Sequence, residues 1–363
     1  MPDYEETGGH GGDLQAASAE FGLRPTEFCD FSSNINPLGP PPGLVEELQK
    51  NLAGDLDRYP VPQARGLRSA LASFLAVPAE RLLVGNGATE LIHLLLLWER
   101  PQRVIIPYPT FSEYERAAKL VGAAVRRFPL PLQATSPLKE AEIKGLLTWG
   151  DLLVFCNPNN PNGFYYAPEV ILEIIHEAGA KNVTVLMDES FIFFTGKPLQ
   201  QAFLTRDYPH LWAVASLTKL WALPGLRLGF LAGPESKIQE LTRKGDPWRV
   251  NALAQRAGLY CLNKLDYLAD SLRVIQVERE YLLKNLRKIK DLKVFPGEVN
   301  FLLLRGEREG FSCEELYRFL AARGVLIRKA SNFPGFDHRY FRIAVRRREE
   351  NERLLKELNV FFG

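Results

Sequence analysis

The order of elements predicts an α/β protein: a large domain with a mostly parallel sheet, plus a smaller α+β domain. Two observations carry this. Apolar strand-like runs alternate with helical patterns from about residue 66 to 233, the signature of a parallel sheet with helices on both faces. Beyond a long helical pattern from about residue 251 to 290, strands and helices continue without that strict alternation. The expected organisation is an N-terminal segment (1–55) joining the small domain, a large domain (56–250), and a bridging helix with the small C-terminal domain (251–363).

The elements follow in order. Asp13 is a suitable N-cap for a short helix to Phe21, because its carboxylate can accept from the first free backbone N–H groups. A short apolar run, 28–31, leads into the turn cluster Ser32-Ser-Asn-Ile-Asn-Pro-Leu-Gly39, and helices are expected over about 43–52 and 66–75. Strands are expected at Leu82–Val84, Val104–Ile106, Asp151–Cys156, Val183–Met187 and Leu211–Ser216, with helices between them. The long pattern after Asn251 breaks near Asp266, and the last strands fall at 292–295, 300–304, 325–328 and 341–345.

Composition narrows the class. The chain has 363 residues, is 46% hydrophobic and carries a net charge of +2, enough for a large core and without the excess charge of a nucleic-acid or anionic-membrane binder. The four cysteines are scattered with no metal-ligand spacing, which reads as reduced thiols in the cytoplasm and no metal site. Residues 1–12 lack the pattern of a signal peptide, and the longest apolar stretch, 91–98, is far too short to span a bilayer.

The chemistry concentrates at strand ends. Lys219 follows the apolar run 211–216, with Ser216 and Thr218 just before it and Arg227 eight residues on. A lysine can bond to an aldehyde, and hydroxyls with a guanidinium suit a phosphate. Together they point to pyridoxal phosphate, which carries both groups; the plain alternative is a lysine on a solvated loop. Gly85-Asn-Gly-Ala-Thr89 places the N–H groups of Ala88 and Thr89 at a helix start, an anion site. Phe111 could stack on a planar ring or simply pack in the core. Asn160 lies in the turn Asn157-Pro-Asn-Asn-Pro-Asn-Gly163. Asp188 ends a buried strand, where a carboxylate is costly without a cation or donor; it suits a protonated pyridine nitrogen, a helix cap or an ion pair. Ligands of open α/β sheets bind beyond the carboxyl ends of strands, so these positions converge.

With these residues assembled, the sequence resembles the fold-type I pyridoxal-phosphate enzymes. Within them it is similar to the histidinol-phosphate aminotransferase group over nearly the whole chain, most of all to the threonine-phosphate decarboxylase family of cobalamin biosynthesis. The stretches that carry this are His10-Gly-Gly12, Asp30–Gly39, Ser216–Gly229, Pro247-Trp-Arg-Val-Asn-Ala-Leu-Ala254 and Val325–Gly335.

The resemblance implies roles. Lys219 would bond to the cofactor aldehyde, Asp188 pair with the ring nitrogen, Asn160 meet the ring O3′ and Phe111 stack on the ring. Ala88, Thr89, Ser216, Thr218 and Arg227 would hold the cofactor phosphate, with Tyr59 reaching it from the partner subunit of a homodimer. Arg342 would take the substrate carboxylate, Arg328 and His10 the substrate phosphate, and Asn34 belongs to the same substrate group. Phe191 stands where many related aminotransferases have a tyrosine, as it does in the decarboxylases. The implied reaction is decarboxylation of L-threonine O-3-phosphate to (R)-1-amino-2-propanol O-2-phosphate. A phosphorylated amino-acid aminotransferase and a non-catalytic binding domain are the competing expectations.

Overall fold

The computed structural model describes residues 11–132 and 140–363. His10 lies outside them. In chain order the strands are β1 (Cys29–Asp30), β2 (Leu82–Gly85), β3 (Arg103–Tyr108), β4 (Ala124–Pro129), β5 (Leu152–Cys156), β6 (Thr184–Asp188), β7 (Leu211–Ser216), β8 (Gly229–Ala232), β9 (Leu292–Phe295), β10 (Phe301–Gly306), β11 (Val325–Leu326), β12 (Arg328–Lys329) and β13 (Tyr340–Ala344).

Seven strands form the main sheet in the order β2-β8-β7-β6-β5-β3-β4. The pairs from β7 to β4 are parallel, and β8 runs antiparallel to both neighbours. Parallel neighbours need a crossover between them, whereas the short span from Ser216 to Gly229 contains no α-helix and returns the chain directly. Every residue of β5 and β7 is buried, as expected of strands covered on both faces. Side chains alternate between two cores: Leu153, Phe155, Val185, Met187, Ala213 and Ala215 on one face, Leu152, Val154, Leu186, Trp212 and Val214 on the other. Asp13 caps the helix Leu14–Phe21, its carboxylate accepting from Ala16 N.

The long C-terminal pattern divides into helices Ala252–Leu262 and Leu265–Leu286. The second contributes Ile275 to the large core and Leu282 and Leu286 to a third core beneath the sheet β12-β13-β10-β9. The run expected as one strand over 325–328 is two. Val325–Leu326 pairs in parallel with β1, while Arg328–Lys329 pairs antiparallel with β13. The break at Ile327 separates the two pairings, and Arg328 lies opposite Arg342.

Candidate active site

The strand ends line an open cavity. Ala88, Thr89, Phe111, Asn160, Asp188, Ser216, Thr218, Lys219 and Arg227 all line it. Each was expected from sequence, and each follows a strand of the main sheet. The segments between are short, so the topology alone brings these positions together.

Asp188 is buried at the end of β6. Its Oδ1 accepts from the backbone N–H of Ser190 at 2.8 Å, and its Oδ2 accepts from the Tyr114 hydroxyl at 2.6 Å. The carboxylate is thus fixed by two donors, with Lys219 among the charges that feel it. Tyr114→Phe removes the stronger donor from a buried anion. It should lower stability by about 1.5–3 kcal/mol, read from denaturant unfolding.

Lys219 is partly exposed, its Nζ 5.1 Å above the Phe191 ring. Burial drives its pKa down to about 8, against the opposing pull of Asp188 and with Arg227 adding to the fall. Only the neutral amine attacks an aldehyde. The rate at which Lys219 captures added pyridoxal phosphate should therefore rise with pH through a midpoint near 8, rather than near the ordinary lysine value of about 10.4. Stopped-flow absorbance of the cofactor-free protein across pH checks the inflection.

The opposite end of the cavity suits an anion. Ser216 Oγ and Thr218 Oγ1 are 2.7 Å apart and buried. Gly87 holds φ at +86°, and a Cβ there would lie 2.8 Å from the Arg227 guanidinium. Glycine at this turn therefore lets Arg227 approach the helix that starts at Ala88. The turn is braced from outside: Asn86 Nδ2 donates to Arg249 O at 2.6 Å, and Arg249 pairs with Glu90 at 3.2 Å.

Arg342 reaches the cavity wall through Asn160, donating to its Oδ1 at 2.5 Å and to Ser32 O at 3.0 Å. That leaves the Asn160 amide N–H groups available to a ligand acceptor. Arg328 donates to Lys329 O at 2.7 Å and Asn332 Oδ1 at 3.0 Å. Both arginines are buried, and neither forms an ion pair among the described residues. Burial pushes both pKa values down, and the Arg328 charge adds to the fall at Arg342. Two uncompensated buried cations side by side are expensive, and a bound anion relieves that cost. Arg342 Nε and Asn34 Oδ1 are buried without a partner among the described residues. Tyr59 stands apart: its side chain is 82% exposed, tilted against Trp248 at 5.1 Å, and it does not line the cavity of its own chain.

Three lining residues escaped sequence reasoning: Tyr114, Cys156 and Ser190. Tyr114 sits on the helix Glu113–Leu120 among ordinary core alanines, and Cys156 completes an apolar strand. Ser190 could have been noticed, two residues past Asp188 in a strand-end turn.

A model of the aminotransferase class I and II family matches residues 26–358. The chain belongs to this family. Among relatives, it is 37% identical to the threonine-phosphate decarboxylase of Salmonella typhimurium over 98% of this chain and 97% of that one. It is 36% identical to a histidinol-phosphate aminotransferase of Desulfitobacterium hafniense, over 90% of each. The solved L-threonine-O-3-phosphate decarboxylase of Porphyromonas gingivalis superposes with a TM-score of 0.80 at 28% identity, covering 91% of this chain and 98% of that one. The cofactor of this aminotransferase-family protein is pyridoxal 5′-phosphate. The site fits it: a fixed carboxylate, a lysine of lowered pKa and an anion cradle share one cavity.

Proposed function

We propose that this protein decarboxylates L-threonine O-3-phosphate to (R)-1-amino-2-propanol O-2-phosphate, in cobalamin biosynthesis. The observation that carries the reading is the pair of buried arginines, Arg328 opposite Arg342, without carboxylate partners among the described residues and joined to the cofactor cavity by Asn160. A substrate with both a carboxylate and a phosphate answers two such cations. The 37% identity to a threonine-phosphate decarboxylase over nearly the full length of both chains supports the choice of substrate.

Bound pyridoxal phosphate supplies an electron sink for a carbanion at the substrate Cα. Lys219 Nζ and Asp188 would hold the cofactor, the Asp188 carboxylate favouring a charged ring nitrogen by its opposite charge. The hydroxyls of Ser216 and Thr218, the N–H groups of Ala88 and Thr89, and Arg227 would take its phosphate; Asn160 would donate to its ring oxygen, and Phe111 would cover the ring. Arg342 would bind the substrate carboxylate and Arg328 and His10 its phosphate, with Asn34, whose buried Oδ1 has no partner among the described residues, in the same substrate group. Holding both ends fixes the torsion about Cα, and that torsion decides whether carbon dioxide or a proton is lost. Lys219, with a pKa of about 8, carries a proton on Nζ in most of the population at neutral pH, and it would deliver that proton to Cα after carbon dioxide leaves.

Arg342→Ala should raise KM for the substrate roughly 10- to 100-fold, the worth of hydrogen bonds to a charged group. Cofactor affinity, measured separately by dialysis, should change far less.

We place the protein in the cytoplasm as a homodimer, with Tyr59 completing the partner's phosphate site. All four cysteines are free, which suits a reducing compartment. Val45, Leu52 and Leu56 expose one apolar face of the helix Leu44–Asp57 beside Tyr59, Leu56 at 71%, and such a face suits a twofold interface.

The second reading is a phosphorylated amino-acid aminotransferase, favoured by the Desulfitobacterium hafniense relative. Incubation with substrate, with and without 2-oxoglutarate, separates the two. Carbon dioxide and the amino alcohol phosphate formed without oxo acid support the decarboxylase. Glutamate without carbon dioxide supports the aminotransferase.

A further inference from the structure

Arg328 is set by its own loop. Its guanidinium donates forward to Lys329 O and to Asn332 Oδ1, and it lies 5.6 Å over the Phe333 ring. The loop that supplies those partners is tightly turned. Phe333 N donates to Ala330 O, and Phe336 N donates to Phe333 O, both at 3.1 Å. Phe336 stacks on Tyr340 of β13 at 4.1 Å. Where this loop faces the main sheet, Gly335 adopts φ +89°, and a Cβ there would lie 2.7 Å from the ring of Tyr108.

Tyr108 is the last residue of β3, three residues before the cavity-lining Phe111. Leu132, which follows the neighbouring β4, packs against the cluster of Phe295, Leu303, Ala330 and Phe333, two of them in the same loop. The close approach of Tyr108 to Gly335 therefore ties the end of β3 to the loop that carries Asn332, the partner of Arg328. Glycine at 335 serves both its backbone conformation and the closeness of the ring.

We infer that Tyr108 is a positioning residue for Arg328, acting through the close contact of its ring with Gly335. This deepens the reading above and rests on it: Arg328 must bind the substrate phosphate for its position to matter. The ring seats the loop, and the loop's Asn332 and Lys329 carbonyl aim the guanidinium. A shift of about 1 Å in such an anchor can cost roughly 10²-fold. The contact is made by the ring edge, so the hydroxyl is dispensable.

The test compares Tyr108→Ala, Tyr108→Phe and Arg328→Ala in the holoenzyme, with KM and kcat for L-threonine O-3-phosphate and the dissociation constant of pyridoxal phosphate measured for each. The expected result is a KM raised roughly 10- to 100-fold in both alanine variants, an unchanged cofactor constant, and wild-type values for Tyr108→Phe. Should Tyr108→Ala fail to fold, Gly335→Ala, which pushes the ring away from the other side, carries the same expectation. A raised KM in Arg328→Ala with wild-type KM in the contact variants overturns this inference and leaves the role of Arg328 standing. An unchanged KM in Arg328→Ala overturns both. Equal losses of substrate and cofactor affinity in Tyr108→Ala also overturn it, since the ring would then be supporting Phe111 rather than Arg328.

Discussion

Replacing Lys219 with alanine should lower kcat by roughly 10⁴-fold, the upper end of what a positioned proton-transfer group contributes. The large effect has two sources in one atom. Lys219 is the only lysine among the described residues that lines the cavity, so on the proposed function both cofactor attachment and proton delivery to Cα would depend on it. Neither Asp188 nor Tyr114 can substitute. Asp188 already accepts from Ser190 N and the Tyr114 hydroxyl, and the Tyr114 pKa is raised well above its ordinary value by burial and by the Asp188 charge. Folding should survive, because removing a half-buried cation also removes a desolvation cost. Circular dichroism and single-turnover product formation check the two parts separately.

The second large effect is at Asp188. Asp188→Asn keeps shape and hydrogen bonding: the amide oxygen can accept from Ser190 N, and the Tyr114 hydroxyl can turn to accept from the amide nitrogen. What disappears is the negative charge that, on the proposed function, would keep the cofactor nitrogen protonated. We expect kcat to fall by roughly 10²–10³-fold, comparable to the loss of one preorganised electrostatic contact. Thermal stability should stay close to wild type. A near-unchanged kcat would show that the carboxylate is structural.

The contrast between these residues and Tyr114 explains what was legible in the sequence. Asp188 and Lys219 stand out because charge directly after an apolar strand is costly, so a ligand is the economical reason for it. Tyr114 is as close to the chemistry, yet on an amphipathic helix an aromatic is ordinary core. The parallel alternation of β3, β5, β6 and β7 could be read from period and spacing, whereas the reversal at β8 depends on the missing crossover helix between Ser216 and Gly229. The division of 325–328 between two sheets had no local signal. Val325, Leu326 and Ile327 are equally good strand formers, and only the pairing with β1 and β13 separates them. That tertiary detail is what sets Arg328 beside Arg342.

The central claim is that the arginine pair directs cleavage to the Cα–carboxylate bond. Its most direct test is carboxyl-labelled L-threonine O-3-phosphate turned over by the holoenzyme in heavy water without an oxo acid. The expected products are labelled carbon dioxide and amino alcohol phosphate in equal amounts, with one deuterium at the former Cα and the phosphate retained. Label remaining in the amino acid while its Cα proton exchanges with solvent would contradict it.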